Sequence, residues 1–162
     1  MSKTDEIQDI SEQAEGIDVS NEEKYLIFSL FGKQYTLPSQ HIGEVALFDT
    51  VYPLPLVPSY VLGVINHYSV PYALFDIGQL LFNTPGPRSK VLVLKDNIDH
   101  IAFLIDDIIG IADVPTENVL DVERSPDSGV SDVISSSFNW NGGDVFVLDV
   151  RRILARVTGE AA

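Results

Sequence analysis

Three histidines (His41, His67, His100) and four aspartates near the chain centre (Asp96, Asp99, Asp106, Asp107) are the side chains here best able to do chemistry. Imidazoles and carboxylates together hold metals or move protons. Their spacing does not support either role. No H-x-x-H or H-E-x-x-H pair occurs, so each histidine reads as a surface or turn residue. The stretch "DNIDHIAFLIDD" lacks the glycine and closing glutamate of a calcium loop. Asp96 and Asp99 flank a turn, and Asp106-Asp107 end a strand. Asp76 and Asp149 each precede a short apolar helical stretch, which makes them helix caps rather than an acid pair. There is no phosphate-binding loop, nucleophile elbow or dinucleotide fingerprint. Gly142-Gly143 reads as a hairpin turn, and the chain has no cysteine. The expectation is a protein with no catalytic residue, no metal site and no cofactor. A small metal-binding or enzymatic barrel is the alternative.

With reactive clusters set aside, "GVINHYSVPYALFD" stands out. Two apolar strands flank a tight polar turn, Asn66-His67-Tyr68-Ser69. That turn carries rings and a hydroxyl where a simple hairpin carries glycine. Such residues raise two readings: the turn only reverses the chain, or it also holds these side chains out.

The elements that must hold this turn are short strands. "KYLIFSLFGKQYTL" reads as strand, Gly32-Lys33 turn, strand. "SQHIGEVALF" reads as a helical turn entering a strand, whose alternation places Ile42, Glu44 and Ala46 on one face. "VYPLPLVPSY", with three prolines, is an extended crossing. "DIGQLLF" is an amphipathic helix capped by Asp76. After the linker "NTPGPRS", the pattern restarts. "KVLVLKDNIDHIAFLID" gives strand, turn, strand, and "DIIGIADV" another strand bent at Gly110. "PTENVL" is a single turn and residues 123–137 a long polar loop. "SFNWNGGDVFVLD" is a hairpin and "DVRRILARV" a closing helix.

Two stretches repeat this order. Asn66 to Leu81 matches Asn139 to Leu154, with the aspartate ten positions after the asparagine in both. "YLIFSLFGKQYTL" likewise matches "VLVLKDNIDHIAFL". The pseudo-repeat halves span about 24–82 and 90–157. Units of about 60 residues have marginal cores alone, so two packed small barrels with a groove between them are expected.

The formal net charge is −14. Such a chain repels phosphate, which excludes nucleic acid and disfavours direct binding to an anionic membrane. Residues 1–23 carry eight acidic side chains against Lys3, so 1–22 reads as a disordered acidic leader. The domain is 23–158, with a short tail at 159–162. No apolar run is long enough to span a bilayer.

In order along the chain, "YLIFSLFGKQYTLP", "HIGEV", "LPLVPSYVLGVIN", "ALFDI", "VLVLKDNIDHIAFLIDDIIGI" and "VFVLDVRRIL" resemble the CheW-like adaptor family of bacterial chemosensory systems. The resemblance runs from about Lys24 to Val157. It implies a mainly β fold of two packed five-stranded SH3-like barrels with short helices. It also implies a cytoplasmic, non-enzymatic scaffold recruited to membrane-associated receptor arrays. There it would couple the regulatory domain of a CheA-type histidine kinase to chemoreceptor tips, for chemotaxis or pilus-linked motility. By position, Ile42, Glu44, Asn66, His67, Tyr68 and Ser69 would lie on the receptor side, and Val91 near the kinase contact. The family turn typically reads Asn-Leu-Arg-Gly. Here Tyr68 takes the arginine position, His67 the leucine and Ser69 the glycine. A phenol cannot make a guanidinium's contact, so receptor binding is the divergent feature. The corresponding alternative is an array modulator that binds the kinase but not receptors.

Overall fold

The computed structural model describes residues 21–47, 50–84, 86, 89–95, 99–122 and 131–158. Most of the acidic leader, Asp96 and the 159–162 tail lie outside these. The described residues include eleven strands: β1 Glu22–Leu30, β2 Lys33–Pro38, β3 Ile42–Leu47, β4 Val61–His67, β5 Val70–Asp76, β6 Lys90–Leu94, β7 Ile101–Ile105, β8 Asp107–Pro115, β9 Leu120–Asp121, β10 Ile134–Trp140 and β11 Gly143–Leu148. Helix α1 spans Ile77–Phe82 and α2 spans Val150–Thr158, with 3-10 turns at Ser39–His41, Thr116–Asn118 and Ser131–Val133.

These strands form two sheets, one six-stranded (β8-β1-β2-β11-β10-β9) and one five-stranded (β3-β6-β7-β5-β4). The architecture is the expected mainly β pair of small barrel sheets. The sixth strand of the larger sheet is the two-residue β9. Its counterpart in the smaller sheet is a single bridge, Tyr52 to Val64.

Neither sheet is drawn from one sequence half. β1 and β2 join β8, β10 and β11, whereas β6 and β7 join β3, β4 and β5. Each half lends its first hairpin to the other. The exchange is symmetric down to single residues. β2 runs parallel to β11, with Tyr35 opposite Phe146; β7 runs parallel to β5, with Ile101 opposite Ala73. Tyr25 pairs with Pro38 as Val91 pairs with Leu104. A bulge interrupts β3 against β6 between Ile42 and Glu44. An equivalent one interrupts β8 against β1, where Ile108 and Gly110 face Phe28 and Ile27.

Three apolar clusters hold this arrangement. One lies within the six-stranded sheet and includes Tyr25, Ile27, Phe138 and Val147. Another lies within the five-stranded sheet and includes Ile65, Tyr72, Leu74, Val91 and Leu104. The largest joins the sheets, with Phe28, Leu30, Tyr35 and Leu37 meeting Phe75, Leu92, Phe103 and Ile105, closed by Ile77 of α1 and Ile153 of α2. The two sheets are therefore packed on each other, as expected of units with marginal cores. Burying a leucine- or phenylalanine-sized side chain there contributes about 1.5–3 kcal/mol each, so the halves cannot separate without exposing it.

Both helices begin as the sequence indicates. The Asp76 carboxylate accepts from Gln79 N–H at 3.0 Å, and that of Asp149 accepts from Arg151 N–H at 2.9 Å. Such caps contribute about 1 kcal/mol each. The polar loop expected at 123–137 is corrected in part. Residues 123–130 lie outside the described set, but 131–137 form a 3-10 turn and the start of β10. The serine run at 135–137 reads as loop by composition. In the fold Ser136 is buried and pairs with both Val147 and Asp121, so tertiary pairing overrides propensity.

Candidate functional site

Hairpin β4–β5 turns through Tyr68 and Ser69, both left-handed, at φ 50° and 66°. Two consecutive positive φ values define the type I′ turn that suits strand twist, and its usual occupants are asparagine and glycine. The equivalent β10–β11 turn has those residues: Asn141 and Gly142, at φ 52° and 80°. A bulky tyrosine in this region is strained by about 1–3 kcal/mol. Tyr68 nevertheless stands 80% exposed, so no burial compensates the strain.

Three of the expected residues converge here. His67 Nε2 lies 2.9 Å from Glu44 Oε2, and the Tyr68 hydroxyl donates to Glu44 Oε1 at 3.4 Å. The His67 and Tyr68 rings are 4.4 Å apart, and His67 meets Tyr72 edge-on at 5.9 Å. Thus His67 does not stand alone, as its spacing had suggested; a residue 23 positions away completes it. Asn66 and Ser69 are exposed at the flanks of the same turn.

The bulge decides which side chains reach this corner. By uninterrupted alternation, Ile42 and Glu44 would share a face. The extra residue, Gly43, breaks that phase. Ile42 packs against the central cluster, while Glu44 is exposed at the corner. Ile42 is only partly buried there, and its place on the receptor side stays a proposal. Val91 is corrected. Its side chain is 0% exposed and belongs to the five-stranded sheet's own core, behind a cavity that opens between β3 and β4, so it is not itself an exposed contact.

Beside the corner, a cavity of about 210 Å³ opens between the edge strands β3 and β4. Ala46, Leu47, Ile65 and Tyr52 line its apolar part, and Asn66 and His67 its polar rim. Gly63 permits it to form. At φ 140°, a Cβ there would strike the Tyr52 carbonyl, which holds Val64 N–H at 2.8 Å. That contact seats the Tyr52 ring, still 55% exposed, at the cavity mouth. Sequence reading missed Tyr52. A tyrosine in a proline-rich crossing gives no periodic signal; the glycine three residues before Asn66 was the only hint.

The remaining candidates have structural roles. Asp106 accepts from Phe31 N–H at 2.8 Å, securing the β1–β2 turn. Asp107 accepts from Lys90 Nζ and from Ile108 N–H, both at 2.9 Å, and these bonds hold its carboxyl below the usual aspartate range. His41 ends a 3-10 turn, and the His100 ring lies 5.2 Å from Tyr72. Among the described residues, no group of three or more histidine, aspartate or glutamate side chains is placed to hold a metal ion. No helix among them is long and apolar enough to cross a membrane.

Residues 24–158 match the family described as the CheW-like domain. The chain belongs to that family. Its fold is similar to a scaffolding protein, TtCheW, from Thermoanaerobacter tengcongensis, at a TM-score of 0.70 and 13% identity over 78% of this chain and 88% of that one. In sequence it is similar to FrzA of Myxococcus xanthus, 24% identical over 102 residues. That match covers 61% of this chain and 64% of FrzA, just under two thirds of the relative's length. The CheW-like domain thus takes in nearly all of the paired-sheet body, the β4–β5 corner included.

Proposed function

We propose that this protein is a non-enzymatic cytoplasmic adaptor of a chemosensory array, coupling a CheA-type histidine kinase to chemoreceptors. The observation that carries the reading is the CheW-like match across nearly the whole described fold. Two further features support it. An adaptor needs at least two separate surfaces. Glu44, His67 and Tyr68 supply one on the five-stranded sheet. Ile109 and Ile111, both exposed on the edge strand β8, supply an apolar one on the six-stranded sheet. Interface centres are depleted in charge, which suits the second surface to the kinase regulatory domain in place of the buried Val91. The receptor side is the corner.

Calorimetry of the full chain against isolated CheA-type regulatory domains and receptor-tip fragments from one array tests this. Binding of both, with loss of kinase binding in Ile111→Glu, is the expected result. Absence of kinase binding overturns the adaptor reading. A second reading, an array modulator that binds kinase but not receptors, follows from the resemblance, which implies an arginine at the position Tyr68 occupies. Kinase binding without tip binding selects it.

A further inference from the structure

The corner is acidic and aromatic, and no lysine or arginine lines the cavity beside it. We propose that it selects a partner segment presenting a lysine or arginine flanked by apolar residues. The inference rests on the adaptor reading and names the chemistry of the partner at that one surface.

Glu44 is the centre of the argument. Its side chain is 45% exposed while held by His67. A carboxylate offers about four lone-pair positions, and His67 and Tyr68 use two of them. The contacts that fix Glu44 thus leave it able to accept from outside. An incoming ammonium or guanidinium would meet a positioned acceptor, which makes charge-assisted bonds stronger than neutral ones.

The surrounding rings fit the same ligand. Tyr68 is held outward by a turn that would be more relaxed without it. Its exposed ring and that of Tyr52 can each present a π face to a cation. The apolar lining of Ala46, Leu47, Ile65 and Val91 suits the aliphatic stem of a lysine or arginine, or a neighbouring apolar side chain. Charge complementarity acts at longer range as well. A chain of net charge −14 draws basic segments and repels acidic ones before contact. An acidic partner side chain placed here would face Glu44 directly. The equivalent corner of the other sheet has Gly110 in the place of Glu44, so this chemistry is confined to one sheet.

A displayed library of linear peptides, panned against the full chain, tests the proposal. The same library is panned against Glu44→Gln and Tyr68→Ala variants, both at exposed positions that leave the cores intact. Lysine or arginine should be enriched over aspartate or glutamate by about tenfold at one position among binders, and moderate salt should weaken their binding. Against Glu44→Gln that enrichment should disappear while apolar preferences persist. Binders enriched in acidic residues, or a basic enrichment unchanged in Glu44→Gln, overturn the proposal. Binders that lose affinity in Tyr68→Ala but show no charge preference overturn charge selection and leave the corner as a docking surface. If no peptide is retained while the kinase regulatory domain still binds, the corner is not a docking site, and the adaptor reading stands on its kinase arm alone.

Discussion

Two corners of this molecule share one backbone and differ in nearly every exposed side chain. In the six-stranded sheet Trp140 precedes an Asn141-Gly142 turn and lies over Gly110, where a Cβ would approach the indole to 2.9 Å. In the five-stranded sheet the equivalent residues are His67, the Tyr68-Ser69 turn and Glu44, with His67 on the carboxylate at 2.9 Å. The first corner joins a relaxed turn to an apolar contact that needs a glycine. The second keeps a strained turn and replaces that contact with a polar one open to solvent. Pseudo-symmetry provides an internal control: the fold accepts both solutions, so folding alone does not require the second.

The largest effect is expected behind the second corner. Val91→Glu places a carboxylate in the core of the five-stranded sheet. Loss of more than about 4 kcal/mol is expected, seen as collapse of the near-ultraviolet dichroism and of the cooperative melt. A folded, cooperative variant would show that this sheet's interior is not the sealed counterpart of the other. Next comes the first corner itself. Gly110→Ala drives a methyl into the Trp140 ring and should cost about 1–3 kcal/mol by denaturant titration. A neutral result would mean the indole swings away freely, and the contrast between a packed and an open corner would weaken.

Exchanging the turns sharpens the comparison further. Tyr68→Asn with Ser69→Gly gives the second corner the turn of the first. Stability should rise by about 1 kcal/mol, a gain of ~2–4 °C in melting temperature, as strain is released. Partner binding at the corner should fall at the same time. A drop in stability would show that the tyrosine is retained for folding. The smallest effect separates the two interiors by titration. The position of Val91 in one sheet is held by Tyr25 in the other, whose phenol is pushed up to about 12 by burial, then by its hydrogen bond to Glu23. The folded state favours the neutral phenol. Its stabilising contribution is complete below pH 10.0, the ordinary value, and is lost as pH rises towards about 12. Tyr25→Phe should flatten the fall in melting temperature across that window, leaving the share due to Tyr35, which burial also raises. Identical curves would place the alkaline loss outside the six-stranded sheet's core.

Much of this was legible in the sequence because the signals are local. The hairpins show in period-2 alternation, the caps in Asp76 and Asp149, and the repeat in the spacing from Asn66 to Asp76 and from Asn139 to Asp149. The Tyr68-Ser69 turn was visible as a departure from ordinary turn chemistry. Its partner Glu44 was on the same list of residues, but nothing in the spacing joined it to His67. Val91 was misplaced because a valine in an alternating strand looks the same whether its face meets a partner or a core.

Amino-acid order by itself therefore determined most of the strands, the helix starts, the doubling of the unit and the family. It did so because propensity, capping and alternation act over a few residues. Only the tertiary structure decided that each half lends its first hairpin to the other, that a bulge sends Ile42 inward and leaves Glu44 outside, and that Glu44 meets His67. Alternation says which side chains share a face. It does not say which strand lies alongside, since backbone hydrogen bonds are the same for any partner. That choice is made by burying Phe28, Leu92, Phe103 and their neighbours between the sheets, a condition only the whole chain can satisfy.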